Sequence, residues 1–176
     1  MTLEQLAIKE NELYSLVLDL YKREQTEELA EKLKTVYASC KQVHTHYSVM
    51  AKQQDEALKR GLFIQWYACT EPNYITGIEK LDEEAERNII DLIEEKIQNN
   101  NLDNELEWML NYYANWDYVF EKFKNRKGFI ELIANRTDDF PIGLVIDKEE
   151  MNQRGQMGMY WNSLNHFAGT EKNASS

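Results

Sequence analysis

Cys40 and His44 stand four residues apart, close enough on one helical face for a thiol and an imidazole to meet. A nucleophilic pair of that kind needs a third group to orient the imidazole and positive surroundings to favour the thiolate. Only Lys41 is nearby in the chain, and no orienting group is placed by spacing. His46 lies two residues from His44 and so points to another face. The third histidine, His166, is remote in sequence. Two ligands do not make a zinc site, and a di-iron bundle would need Glu-x-x-His repeats that the sequence lacks. Gly155-Gln156-Met157-Gly158 has neither the spacing nor the strand-to-helix context of a phosphate-binding loop. Nothing resembles a serine nucleophile elbow. The expectation is therefore no catalytic residue, no cofactor and no metal.

Two other groups have types and spacing that suit binding. On a helical wheel over residues 78–97, Ile78, Leu81, Ala85, Ile89, Ile90, Leu92, Ile93 and Ile97 fill one side. Glu83, Glu84, Asp91, Glu94 and Glu95 fill the other, a negative face that would suit a basic partner. The second group is aromatic. Trp66 and Tyr67 flank the loop around Pro72, and Trp108, Tyr112 and Trp116 follow at helical spacing. With Leu106, Met109, Val119, Phe120 and Phe123, the later aromatics spread over roughly 200° of the wheel, against a usual core stripe of about 100°. Either that helix is central, or Trp66, Tyr67, Trp108, Tyr112 and Trp116 line an apolar pocket or interface.

These residues must be positioned by helices. Gly and Pro total only nine in 176 residues, and Leu, Glu, Lys, Gln and Ala are abundant. Thr2-x-x-Gln5 has the form of a capping box and opens a first helix to about Glu24. Thr26, followed by Glu27 and Glu28, opens a second. Leu29, Leu33, Val36, Cys40, Val43, Tyr47, Met50, Gln54 and Ala57 then alternate steps of four and three, a coiled-coil-like seam. The second helix is expected to run to about Thr70, bending or not at Gly61, because Pro72 disfavours helix before it. Thr76 or Asp82 caps a third helix that ends at Asn99-Asn100-Asn101. Asp103 caps a fourth that reaches Lys124. Phe129 to Ala134 reads as a helical turn or two, and 142–146 as an extended segment. Short helices are expected over 148–154 and 159–167, parted by Gly155 and Gly158, with Trp161, Leu164 and Phe167 plugging the core.

The fold class this implies is all-α: a helical bundle built on a long antiparallel helical hairpin, with a partly irregular C-terminal arm. Residues 1–168 form one domain and 169–176 a disordered tail. The two cysteines, about 43 Å apart along one helix, are out of disulfide reach and read as small buried residues.

Charge decides among partners. The net charge is −11. Residues 61–118 hold three basic and thirteen acidic side chains, so the middle of the chain carries nearly all of it. That argues against nucleic acid, which needs a basic footprint. No apolar run approaches the ~20 residues of a membrane span. The opening MTLEQLAIKENE has acids where a signal peptide has basic and apolar regions. The expectation is a cytoplasmic, non-enzymatic protein–protein interaction module with a protein partner: an adaptor, a regulator, or an acidic inhibitor whose partner is basic. A homodimer through the seam, and a small-molecule-binding protein or enzyme with an aromatic-lined pocket, are the alternatives.

Overall fold

The computed structural model describes residues 1–24, 26–116, 118–134 and 148–168. Every regular element among them is helical: α1 (Leu3–Tyr21), α2 (Glu27–Met50), α3 (Asp55–Thr70), α4 (Asn73–Thr76), α5 (Glu83–Gln98), α6 (Asn104–Tyr113), a 3-10 turn (Glu121–Phe123), α7 (Lys127–Ala134), α8 (Lys148–Asn152) and α9 (Gly155–Ala168). No described helix is long and apolar enough to cross a membrane. The all-α expectation is met at that level.

Helix starts follow the caps. Thr2 and Gln5 form the reciprocal capping box, and Thr26, Asp82 and Asp103 each accept from backbone N–H groups of the turn they open. Thr76 does not cap the third expected helix. Its hydroxyl accepts from Ile78 N–H at 3.1 Å, and Gly77 ends α4 in the left-handed conformation at φ 73°.

Two long helices of the sequence reading are broken. The second stops at Met50, turns through 51–54, and restarts as α3. The physical reason lies in the seam. Its residues from Leu29 to Tyr47 at the heptad positions are buried within the single chain, whereas Gln54 is exposed. A turn there lets α3 fold back beside α2 and bury Ala57, Leu58 and Leu62 on its own account. The fourth helix stops at Tyr113 rather than Lys124. Asn115 turns its amide onto the carbonyls of Asn111 and Tyr112, at 3.2 and 3.1 Å, competing with the backbone ladder at the helix end. The over-wide aromatic stripe is thereby explained. Trp108 to Tyr113 belong to α6, while Phe120 and Phe123 sit on a separate turn and pack on Phe129 of α7, at 5.1 and 6.2 Å between ring centroids.

α9 starts at Gly155, not at 159, and runs through Gly158. The expected extended segment 142–146, the side chain of Phe167 and the tail 169–176 lie outside the described residues. Both cysteines are free, but only Cys40 is buried. Cys69 is exposed, so the reading of two buried cysteines holds for one.

Candidate functional site

The proposed nucleophilic pair is disarmed by burial. The Cys40 thiol is pushed up to about 12, by desolvation first and by the nearby Glu10 carboxyl second. His44 is fully buried and pushed down to about 4 by desolvation, so its ring is neutral. Its Nε2 lies 3.2 Å from the amide nitrogen of Gln65, which also donates to the Glu86 carbonyl at 3.2 Å. Nδ1 has no partner. An imidazole held this way takes a hydrogen bond and is cut off from solvent protons. Among the described residues no group of three His, Cys, Asp or Glu side chains is placed to hold a metal ion.

The acidic face is partly absorbed by the fold. Glu94 is buried, with Oε1 accepting from Gly128 N–H at 2.9 Å and from Gln98 at 2.7 Å, so it anchors the start of α7. Asp91 pairs with Arg126 at 2.5 Å. Glu83 is exposed, 3.6 Å from Lys80. Glu84 and Glu95 are exposed. The negative face in solution is narrower than the wheel implies.

The five aromatic residues come together in one cluster. Trp66 stacks on Tyr113 at 4.7 Å and meets Tyr112 and Trp116 edge-on at 5.7 and 5.3 Å. Trp108 stacks on Tyr112 at 5.6 Å and meets Trp161 at 4.5 Å. Tyr67 stacks on Phe63 at 5.1 Å. Tyr160 of α9 crosses both Trp66 and Tyr67, and its hydroxyl bonds that of Tyr112 at 2.8 Å. The rings fill the space between α3, α6 and α9 with one another. A hollow of about 150 Å³ lies at the edge of the cluster, between Tyr14, Tyr67, Gln156 and Tyr160.

A larger opening lies on the other side of α3. A cleft of about 520 Å³ runs between the end of α3, the 78–81 connection, the first turns of α5 and the 3-10 turn. Ala68, Ile78, Leu81 and Phe123 give it apolar lining. Glu79, Glu83 and Glu86 stand on it with Lys80, Arg87 and Lys122, three of each sign. Glu86 and Lys122 pair across it at 2.5 Å, joining α5 to the 3-10 turn. Cys69 is on its wall. A recess of about 10 Å³, large enough for one water, shares Cys69, Glu86, Lys122 and Phe123 with the cleft. Trp66 and Gln65 line the recess, and each carries a buried polar atom (Nε1 and Oε1) without a partner among the described residues.

Sequence reasoning missed this cleft because its residues come from three separate stretches, 68–69, 78–87 and 122–123. No periodicity joins Cys69, Leu81, Arg87 and Phe123. It also missed Glu10. That residue is fully buried and accepts from Tyr47 Oη at 2.8 Å and from Gln156 N–H at 3.0 Å. A signal was present: Leu6, Glu10, Leu13, Val17 and Leu20 step by four and three, so the carboxyl occupies a core position of the α1 stripe.

Comparison of the chain with protein-family models, with curated proteins and with solved structures finds no match in any of the three.

Proposed function

We propose that this chain is a non-enzymatic protein–protein interaction module that receives a segment of a protein partner in the cleft between α3, α5 and the 3-10 turn. The observation that carries the reading is the make-up of that cleft: apolar residues flanked by charged side chains of both signs in about 520 Å³. The disarmed state of Cys40 and His44 supports the non-enzymatic part. In this reading a long antiparallel hairpin of α1 and α2 is the rigid frame, and the C-terminal third closes over it. The partner segment carries an apolar anchor for the Leu81 and Phe123 walls. Basic residues follow the anchor, because Glu83, Glu84 and Glu95 remain exposed beside or beyond the cleft on a chain of net charge −11.

Selection of a random-peptide library on the immobilised chain tests this. Enriched peptides are expected to combine an aromatic or aliphatic anchor with neighbouring Lys or Arg. Phe123→Ala should weaken them about tenfold or more, and added salt should weaken them further. Binders indifferent to both overturn the cleft as the site.

A second copy of the chain is the competing occupant. The heptad seam is buried inside the monomer, so light scattering over a concentration series is expected to give one monomeric mass at low and high salt. A dimer at both salts would point to an apolar self-interface instead.

The small-molecule alternative draws its support from the 150 Å³ hollow beside Tyr67 and Tyr160. That volume is below the ~300 Å³ at which ordinary ligand pockets begin. The cleft reading is therefore preferred.

A further inference from the structure

Glu10 is a charge-bearing group in a place where a charge is costly. It lies on α1 with no solvent contact at its carboxyl, facing Tyr47 and Cys40 of α2, Arg60 of α3 and the first turn of α9. Its Oε1 accepts from the Gln156 N–H and its Oε2 from the Tyr47 hydroxyl. Gly155 begins α9 at φ 65°, and a Cβ there would fall on the Glu10 carboxyl. Gln156 is itself buried, and its amide donates to the Thr76 carbonyl at 3.1 Å. The start of α9 is thus built around one carboxyl group.

We propose that docking of α9 on α1 is a proton-linked latch: Glu10 closes over the start of α9 as a neutral acid, and the helix loosens when that acid ionises. The neutral acid keeps both heavy-atom contacts. The added proton on Oε2 donates to Tyr47 Oη, whose own hydroxyl hydrogen turns away, while Oε1 continues to accept from Gln156 N–H. Ionisation leaves a carboxylate in a site closed to water. Two hydrogen bonds and Arg60 favour it there, and desolvation outweighs them, so the group is pushed up from 4.5 to about 7. Undocking opens its α9 side to solvent and lowers it toward its ordinary value of 4.5. Docking therefore takes up a proton, and its favourable contribution is full below pH 4.5 and lost as pH rises to about 7. What opening uncovers is the ring face of α3, because Tyr160 lies on Phe63, Trp66 and Tyr67.

Hydrogen exchange of the full chain, read by mass spectrometry at pH 5, 6, 7 and 8 and corrected for intrinsic rates, tests the latch. The opening constant of amides 157–164 is expected to rise about tenfold per pH unit from 5 to 7 and then level. Core amides of α2 should not follow that profile. Glu10→Gln keeps the shape and hydrogen bonds of the neutral acid and should give α9 opening that is flat with pH. Arg60→Gln removes a charge that favours the carboxylate and should move the midpoint to higher pH, which keeps the test intact if Glu10→Gln does not fold. A pH slope that persists in Glu10→Gln, or an Arg60→Gln midpoint that stays or falls, overturns the proposal. So does equal behaviour of α2 and α9.

Discussion

Gly158→Ala is expected to destabilise the protein by about 3 kcal/mol or more, a fall in Tm of roughly 6–12 °C for a chain of this size. Gly158 lies inside α9, where α8 crosses it most closely. An added Cβ would fall on the Met151 carbonyl oxygen, with the carbonyl carbon at 2.7 Å and Arg154 Cβ at 3.3 Å. The obstacle is backbone, so no rotamer change relieves it, and α8 must move. That movement pulls on Arg154, which clasps both Glu56 oxygens at 2.7 and 2.6 Å and also reaches Glu105. Glu105 in turn holds Lys59 at 2.6 Å, so α3 and α6 are drawn in. Gly61→Ala is the control. Its Cβ would meet the Ile89 Cδ1 at 2.6 Å, the mobile end of a side chain, and alanine gains up to about 1 kcal/mol of helix propensity. Its net change should be far smaller. Thermal melts of the two variants decide the matter; equal losses would mean that the α8–α9 crossing is no tighter than an ordinary helix contact.

The glycines also show what sequence conveys and what it hides. Gly155 and Gly158 both read as helix breakers, yet only Gly155 takes the left-handed conformation. Gly158 is there for close approach, a property of two helices that no single-helix pattern displays. Local chemistry was legible: the Thr2, Thr26, Asp82 and Asp103 caps act within three residues of themselves. Helix ends were less so, because the turns at 51–54 and 114–116 contain no proline or glycine. They form where packing of the following segment outweighs continued helix. Trp108, Tyr112 and Trp116 are four apart, and rings at that spacing can share a face, whereas their meeting with Trp66 is a contact between separate helices. The cleft was not legible, being assembled from separate stretches. Glu10 was read past and Glu94 was placed on the solvent face because polar residues are usually exposed. Both are buried, Glu10 in the apolar stripe of α1 and Glu94 under the start of α7.

The opposite shifts of Glu10 and His44 are expected to offset each other in the pH dependence of global stability between about pH 4.5 and 6.5. The two groups have opposite signs. Glu10 is raised from 4.5 to about 7 in the folded chain, so its contribution is full below pH 4.5 and disappears as pH rises to about 7. His44 is lowered from 6.5 to about 4, so its contribution is full above pH 6.5 and disappears as pH falls to about 4. Each spans about 3 kcal/mol, at about 1.4 kcal/mol per pH unit, and the windows overlap over most of their length. Asp103 and Glu105, whose ionised forms are held by Lys59 and, for Glu105, Arg154, are lowered and act only below their ordinary values. Urea titrations of the wild type at pH 4.5, 5.5 and 6.5 should therefore give nearly equal stabilities. Glu10→Gln removes one slope and should leave a stability that climbs with pH by about 1.4 kcal/mol per unit. His44→Gln removes the other and should leave one that falls with pH at the same rate. Parallel profiles in all three proteins would show that these groups are not held in their neutral forms. Divergence in opposite directions would show that a buried acid and a buried base offset each other, and that α9 can respond to pH while the whole fold does not. Local opening of α9 frees Glu10 alone and leaves His44 between α2, α3 and α5, so the compensation that protects the bundle is absent from the helix that closes it.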